Sequence, residues 1–402
     1  MRNSAEFLAA VVASLDLELT LVPLDRDARA VEIETVVNRL GVRFLIDRDG
    51  DDVRIHLSAV GTREHTNDST EDSIALIKLT SGSSGAPRGV LTSERHLIAD
   101  CVNICRSMDI REDDVNFAAI PLSHSYGFSN LVTPLLLQGT PMVVTNDYLP
   151  LVILETCNDY RCTVIPGVPT MFTHLAELPS ADGGFQKIRT VISAGAPLPV
   201  STSRAFHDRY GLAIHSFYGC SECGGIAFDR NGRSVERGTV GEPLEGVEIA
   251  FEESTGRLVV RSDAVGAGYL NGSEDEERKY LDGTFVTDDL GNRDDEGEIV
   301  LTGRVNDLIN MAGRKVNPRE VEAIILEIEG VREARVYGKP GGARGEIVAA
   351  AVVASGEISA DQIRRYCAQH LSSHKVPRVV KLIDSIPVDE RGKVRRADLA
   401  AL

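Results

Sequence analysis

The decapeptide Thr80-Ser81-Gly82-Ser83-Ser84-Gly85-Ala86-Pro87-Arg88-Gly89, set directly after the apolar run Ile74–Leu79, narrows the choice of fold more than any other stretch of the chain. A short apolar run bounded by turn residues reads as a buried strand. The glycines let the backbone adopt positive φ and approach a bulky anion closely, while the neighbouring hydroxyls and amides donate to it. Arg88 adds a fixed charge with forked donors. A strand feeding such a loop points to phosphate binding, whereas a flexible Ser/Gly linker seldom follows a buried strand and ends in Pro-Arg-Gly. The loop is not GxxxxGK[ST], which needs Lys-Ser or Lys-Thr directly after its last glycine; Ala86-Pro87 stands there.

Around this loop, helical and strand patterns alternate. Ser4–Leu15 and Val31–Leu40 have helical apolar spacing, Leu19–Leu24 and Phe44–Asp47 are strand-like, and the charged stretch to Asp72 reads as loop and edge. Thr140–Thr145, Cys162–Ile165, Thr190–Ser193 and Ala213–Phe217 continue the alternation as strands. The pattern predicts an α/β fold whose large N-terminal body holds largely parallel sheets. Gly-punctuated short strands between Val235 and Tyr269, such as Val247–Phe251 and Leu258–Arg261, fit a small β subdomain. After Gly303 come an amphipathic helix (Pro318–Glu329), strands at Ala334–Tyr337 and Val348–Ala354, and a helix at Ala360–His370, which make a small α+β domain. A chain of 402 residues is too long for one ordinary domain, and the expected division is 1–303 and 304–402.

The net charge of −17 argues against wrapping nucleic acid. Its distribution is uneven: from Arg304 onward 17 basic residues face 13 acidic ones, a net of +4, which leaves −21 on the preceding part. No run of eighteen apolar residues appears, and the first twenty residues carry charge throughout without a cleavage-site pattern, so neither membrane insertion nor a signal peptide is expected. Seven scattered cysteines, an odd count in a large chain, suit a reducing cytoplasm better than a disulfide framework. Cys220 and Cys223 form a lone CxxC without the second pair that a zinc site usually has.

The decapeptide resembles the TSGTTGxPKG signature of the superfamily that includes acyl-CoA synthetases, peptide-synthetase adenylation domains and luciferases. Further segments match the superfamily's motifs in order. Pro121-Leu-Ser-His-Ser-Tyr-Gly127 resembles P-x-x-H-x-x-G, which implies that His124 sits near the carboxylate substrate. Ser193–Leu198 resembles the loop that lies along adenine, with Gly195, Ala196 and Pro197 beside the base. Ser216–Glu222 resembles YGxTE: Tyr218 and Gly219 would meet adenine, Ser221 would take the phosphate-contacting Thr position, and Glu222 would hold Mg²⁺. One or two carboxylates suffice for a magnesium ion carried on phosphates. Gly283–Gly291 resembles W-x-x-TGDL and places Asp289 on the ribose hydroxyls; Asp288 replaces the usual Gly, and Asp tolerates a left-handed turn better than most residues. Gly303–Ile309 resembles GRxxDxI, with Arg304 toward ribose or the α-phosphate and Asn306 at a hinge. Gly313 suits the close approach of a thiol-bearing arm, and Ile386–Arg395 resembles the closing P-x-x-x-x-GK, making Lys393 the catalytic lysine. Upstream, Leu21-Val-Pro-Leu-Asp25 resembles a VPLD element; relatives carry a longer stretch before the phosphate loop, so the chain is expected to begin inside the usual first subdomain.

The resemblance implies ATP-dependent activation of a small organic carboxylate as acyl-AMP, with pyrophosphate held by Thr80, Ser81, Gly82, Ser83, Ser84, Gly85 and Arg88. Transfer to the thiol of CoA follows, with ATP, Mg²⁺ and CoA as cofactors and with Lys393, Glu222 and His124 as the catalytic set. It implies too that a mobile C-terminal domain turns about Asn306 to exchange Lys393 for the Gly313 loop between the half-reactions. Two alternatives stay open: an acyl-AMP ligase that loads the phosphopantetheine of an acyl or peptidyl carrier protein, and a catalytically weakened nucleotide-binding protein, for which the substitutions at Asp288 and Arg88 speak. An oligomer is compatible with either.

Overall fold

The computed structural model describes residues 2–49, 52–57, 73–81, 87–179, 183–311, 314–340, 346–356, 358–387 and 399. The chain forms two compact units, one of Met1–Ala250, Val259–Val286 and Asp295–Ile299, the other of Phe251–Leu258, Thr287–Asp294 and Val300–Leu402.

The first unit is built on a seven-stranded sheet. In spatial order its strands are Glu242–Pro243, Gly224–Phe228, Ile214–Cys220, Thr190–Ser193, Val164–Gly167, Asn116–Phe117 and Met142–Val143. The last five run parallel, and the two at the other edge are antiparallel, which agrees with the expected α/β class. Val164–Gly167 and Thr190–Ser193 are buried at every position, as a parallel sheet covered on both faces requires. Helices Pro150–Asp159, Pro169–Ala176 and Val200–Tyr210 supply Ile153, Phe172, Leu175 and Phe206 to a core shared with Val191 and Ile214.

Beside this sheet stands a hairpin of Ile74–Ser81 and Pro87–Ser93, in which Thr80 lies opposite Arg88. Val265–Leu270 runs along its second strand, with the Leu91 amide donating to Gly268 O and the Leu270 amide to Gly89 O. The strand-like pattern of Leu19–Leu24 shrinks to a single bridge, Leu21 to Leu76, because Pro23 has no amide to extend the ladder. Thr140–Thr145 is reduced to Met142–Val143 next to Pro141, whereas Asp52–Leu57, read as loop and edge, pairs with Phe44–Asp49 as a strand.

Ser93 caps the helix Glu94–Met108, whose first turn is closed by His96 Nδ1 accepting the Ser93 amide at 3.1 Å. Its buried face carries Leu97, Cys101, Ile104, Cys105 and Met108 at helical spacing, and in their midst the carboxylate of Asp100. Asp100 accepts the Gly225 amide at 2.8 Å and the Ser129 hydroxyl at 2.6 Å, and lies 4.0 Å from the buried ammonium of Lys78.

In the second unit, strands Val331–Pro340, Glu346–Ala354 and Val379–Leu382 form one sheet, antiparallel then parallel. Helices Pro318–Leu326 and Ala360–His370 bury Val321, Ile325, Ile363 and Cys367 against Val336, Val348, Ala350 and Val352. Asp288 falls within the strand Thr284–Arg293, where no left-handed residue is needed, and its carboxylate takes Arg257 Nη2 at 3.1 Å. The turn expected at this position is therefore absent, and the Gly-to-Asp departure is absorbed by an ion pair.

Removing Asp100 would leave the Lys78 ammonium buried without its counter-ion, so Asp100→Ala is expected to cost about 3–5 kcal/mol. The loss should appear as a lower midpoint in urea denaturation; an unchanged midpoint would contradict the role given to this carboxylate.

Candidate active site

The parallel strands Thr190–Ser193 and Ile214–Cys220 are neighbours, with Ser193 opposite Ser216, so their carboxyl ends deliver two of the expected stations to one place. Ligands of open α/β sheets bind at such ends. From the first strand emerges Gly195, at φ +88°, with Ala196 half-buried and Pro197 exposed. The second continues through half-buried Tyr218 and exposed Gly219 into a tight turn, Ser221–Cys223, and returns as Gly224–Phe228. Two glycines make this turn possible. A Cβ on Gly219 would lie 2.5 Å from Gly224 O, and one on Gly224, at φ +73°, would lie 2.2 Å from Asp100 Oδ1. Any other residue would push the turn off the buried carboxylate beneath it.

The turn holds Ser221 and Glu222 against two other segments. Ser221 Oγ is 2.7 Å from Ser125 Oγ, which places the His124 segment alongside. His124 is the N-cap of the short helix Ser125–Gly127, and its Nε2 is 3.0 Å from Asp25 Oδ2, a partner from the Leu21–Asp25 element. Tyr126 donates to Ile192 O at 3.2 Å and its ring lies 5.7 Å from that of Phe217. On the other side, Glu222 Oε1 accepts the Tyr269 hydroxyl at 2.6 Å. Burial and the Glu222 carboxylate push the Tyr269 phenol well above its ordinary pKa, so it remains a donor.

Arg88 completes this cluster. Its guanidinium lies over the Tyr269 ring at 4.9 Å and donates through Nη1 to Glu276 Oε1 at 2.8 Å. Glu276 is held below the usual carboxylate range by the Ser273 amide and by Arg88. Arg88 Nε and Thr80 Oγ1, opposite each other across the hairpin, are buried and have no hydrogen-bond partner among the described residues. Buried polar groups are normally satisfied, and two orphaned donors at the base of a glycine-rich loop fit an anion bound there. A magnesium ion carried by phosphates fits as well, since Glu222 supplies the one carboxylate needed; among the described residues no cluster of three or more His, Cys, Asp or Glu could hold a metal by itself.

Thr80, Arg88, His124, Ser221 and Glu222 are thus joined through direct contacts within the first unit. In the second unit, Asp289 is buried and receives Arg304 Nε at 2.5 Å and Nη2 at 3.3 Å. Ser81 ends its strand, whereas Gly82, Ser83, Ser84, Gly85, Gly313 and Lys393 lie outside the described residues. Three further contributors, Asp25, Tyr269 and Glu276, join the site through their contacts with His124, Glu222 and Arg88. Only Asp25 carried a signal in the sequence, through the VPLD element.

This arrangement is that of an α/β protein with a polar cluster at the carboxyl ends of its parallel strands, and the chain belongs to the AMP-binding enzyme family. The sequence model of that family matches residues 1–270, and that of the AMP-binding enzyme C-terminal domain matches residues 320–393. YngI of Bacillus subtilis (strain 168) is 30% identical over 357 residues, which cover 84% of this chain. The chain spans 64% of the length of that relative. ATP-bound MatB from Rhodopseudomonas palustris superposes with a TM-score of 0.84 at 26% identity, over 100% of this chain and 87% of MatB. O-succinylbenzoate coenzyme A synthetase (MenE) from Bacillus subtilis, in complex with ATP and magnesium ion, gives a TM-score of 0.81 at 25% identity, over 99% of this chain and 87% of its own.

Gly219→Ala would force a side chain onto the Gly224 carbonyl and is expected to destabilise the fold by about 1–3 kcal/mol. Gly184→Ala, whose Cβ would meet nothing among the described residues closer than Tyr210 Cδ1 at 3.8 Å, should be tolerated. Urea denaturation of both variants checks the contrast, and equal midpoints would contradict it.

Proposed function

We propose that this chain activates a small organic carboxylate with ATP and transfers the acyl group to the thiol of CoA. The observation that carries the proposal is the pair of orphaned buried donors, Thr80 Oγ1 and Arg88 Nε, set beside the Tyr269–Glu222 carboxylate at the base of the glycine-rich loop. Family membership, and the likeness to ATP-bound MatB and to o-succinylbenzoate coenzyme A synthetase in complex with ATP and magnesium ion, support it.

In the first half-reaction a carboxylate oxygen attacks the α-phosphorus, the bond to the bridging oxygen of the β-phosphate breaks, and pyrophosphate leaves. In the second, the thiol sulfur attacks the acyl carbon, loses its proton, and displaces AMP. Thr80, Arg88 and the residues from Ser81 to Gly85 would receive the leaving pyrophosphate. Arg88 now binds Glu276, so the phosphate would compete with that carboxylate for one end of the guanidinium, while the buried Nε has no hydrogen bond to give up. Mg²⁺, when bound, neutralises phosphate charge, and Glu222 would hold it. His124, kept in place by Asp25, would face the carboxylate. Gly195, Ala196, Pro197, Tyr218 and Gly219 would line adenine, and Asp289 and Arg304, already paired to each other, would take the ribose. Residues 304–402 would act as a lid domain that supplies Lys393 to adenylation and Gly313 to thiol entry. Such a protein works by positioning and by charge stabilisation rather than by covalent chemistry. Seven unpaired thiols suit a reducing cytoplasm, and among the described residues no helix is long and apolar enough to cross a membrane.

ATP–pyrophosphate exchange, screened against a panel of carboxylic acids, tests the first half-reaction. At least one acid should support exchange, and Arg88→Ala should raise the Michaelis constant for ATP by roughly 10- to 100-fold, the scale of losing hydrogen bonds to a charged group. Exchange with no acid, or an Arg88→Ala protein that uses ATP like the wild type, would contradict the proposal.

A further inference from the structure

Tyr269 occupies a place that no motif assigns to it. It stands between the candidate metal ligand and the cation of the phosphate hairpin, and it touches both. Its hydroxyl donates to Glu222 Oε1 at 2.6 Å, and its ring face supports the Arg88 guanidinium at 4.9 Å. The ring itself is fixed: it is 7% exposed, packs edge-on against Tyr280 at 5.4 Å, and its backbone bridges Val90 on the hairpin. The flanking amide bonds, Leu91 N to Gly268 O at 2.9 Å and Leu270 N to Gly89 O at 2.8 Å, lock that register. Glu222 lies on a tight turn, where a long carboxylate side chain with several free rotamers would otherwise sample many orientations.

We infer that Tyr269 is a positioning residue of the nucleotide site: its hydroxyl fixes the Glu222 carboxylate so that Oε2 is presented to Mg²⁺, while its ring sets the height of Arg88. One side chain then holds the metal ligand and the phosphate cation at a constant separation. This inference rests on the assignment of Glu222 to Mg²⁺ proposed above. Partners that orient a metal ligand commonly contribute 10- to 100-fold in metal affinity.

Tyr269→Phe separates the two duties, since it keeps the ring beneath Arg88 and removes only the hydroxyl. Calorimetric titration with ATP, in the presence of Mg²⁺ and then of EDTA, reads binding without turnover. The wild type should gain affinity from Mg²⁺. In Tyr269→Phe that gain should fall by roughly 10- to 100-fold, whereas binding of metal-free ATP should stay within about twofold of the wild type. Tyr269→Leu, which removes the ring as well, should weaken metal-free ATP too. A Tyr269→Phe protein that binds Mg·ATP like the wild type overturns the inference, and so does one that loses both forms equally. If Glu222→Gln retains the full gain from Mg²⁺, the assignment of Glu222 itself fails, an outcome distinct from a failure confined to Tyr269.

Discussion

The carboxylate of Asp100 is the contact on which the site's construction depends. Buried inside the first unit, it ties together four segments that meet nowhere else in sequence: its own helix, the strand bearing Lys78, the amide of Gly225 and the hydroxyl of Ser129. Each lies a few residues from a candidate site residue. Lys78 is two before Thr80, Gly225 three after Glu222, and Ser129 five after His124. A charge taken out of water is tolerable only when paired and hydrogen-bonded, so these segments cannot drift apart without exposing an unsatisfied ion. The segments that carry the candidate site residues are therefore held together at their base.

Beyond that base, the candidate site residues are linked by a succession of pairwise contacts. Asp25 meets His124, Ser125 meets Ser221, Glu222 meets Tyr269, and Tyr269 supports Arg88, which meets Glu276. Under the proposed function, the succession begins with His124 on the carboxylate side and ends with Arg88 on the pyrophosphate side. Negative charge accumulates in a displacement at the α-phosphorus, and donors fixed in advance stabilise it without reorganisation.

Much of this was legible in the sequence. The glycine-rich loop after Ile74–Leu79, the alternating strands and the ordered motifs gave the α/β class and the family. Local chemistry failed where distant partners decide the outcome. Leu19–Leu24 has the composition of a strand, yet Pro23 ends the ladder after one bridge. Asp288 looked like a turn residue, but the strand Thr284–Arg293 passes straight through it and Arg257 neutralises its charge. Asp100, Tyr269 and Glu276 carry no local mark, because their roles come from partners between 22 and 188 residues away. A capped amphipathic helix such as Glu94–Met108 gives no hint that one acid on its buried face is the anchor of the site.

Diffraction from crystals grown with ATP and Mn²⁺ in place of Mg²⁺ would reveal whether Glu222, Thr80 and Arg88 form the proposed Mg·ATP phosphate site. The expected result is an anomalous peak at coordination distance, about 2.0–2.2 Å, from a Glu222 carboxylate oxygen, with the terminal phosphates at Thr80 Oγ1 and Arg88 Nε. A metal bound away from Glu222, or phosphates that leave those two donors unpartnered, would rule that site out.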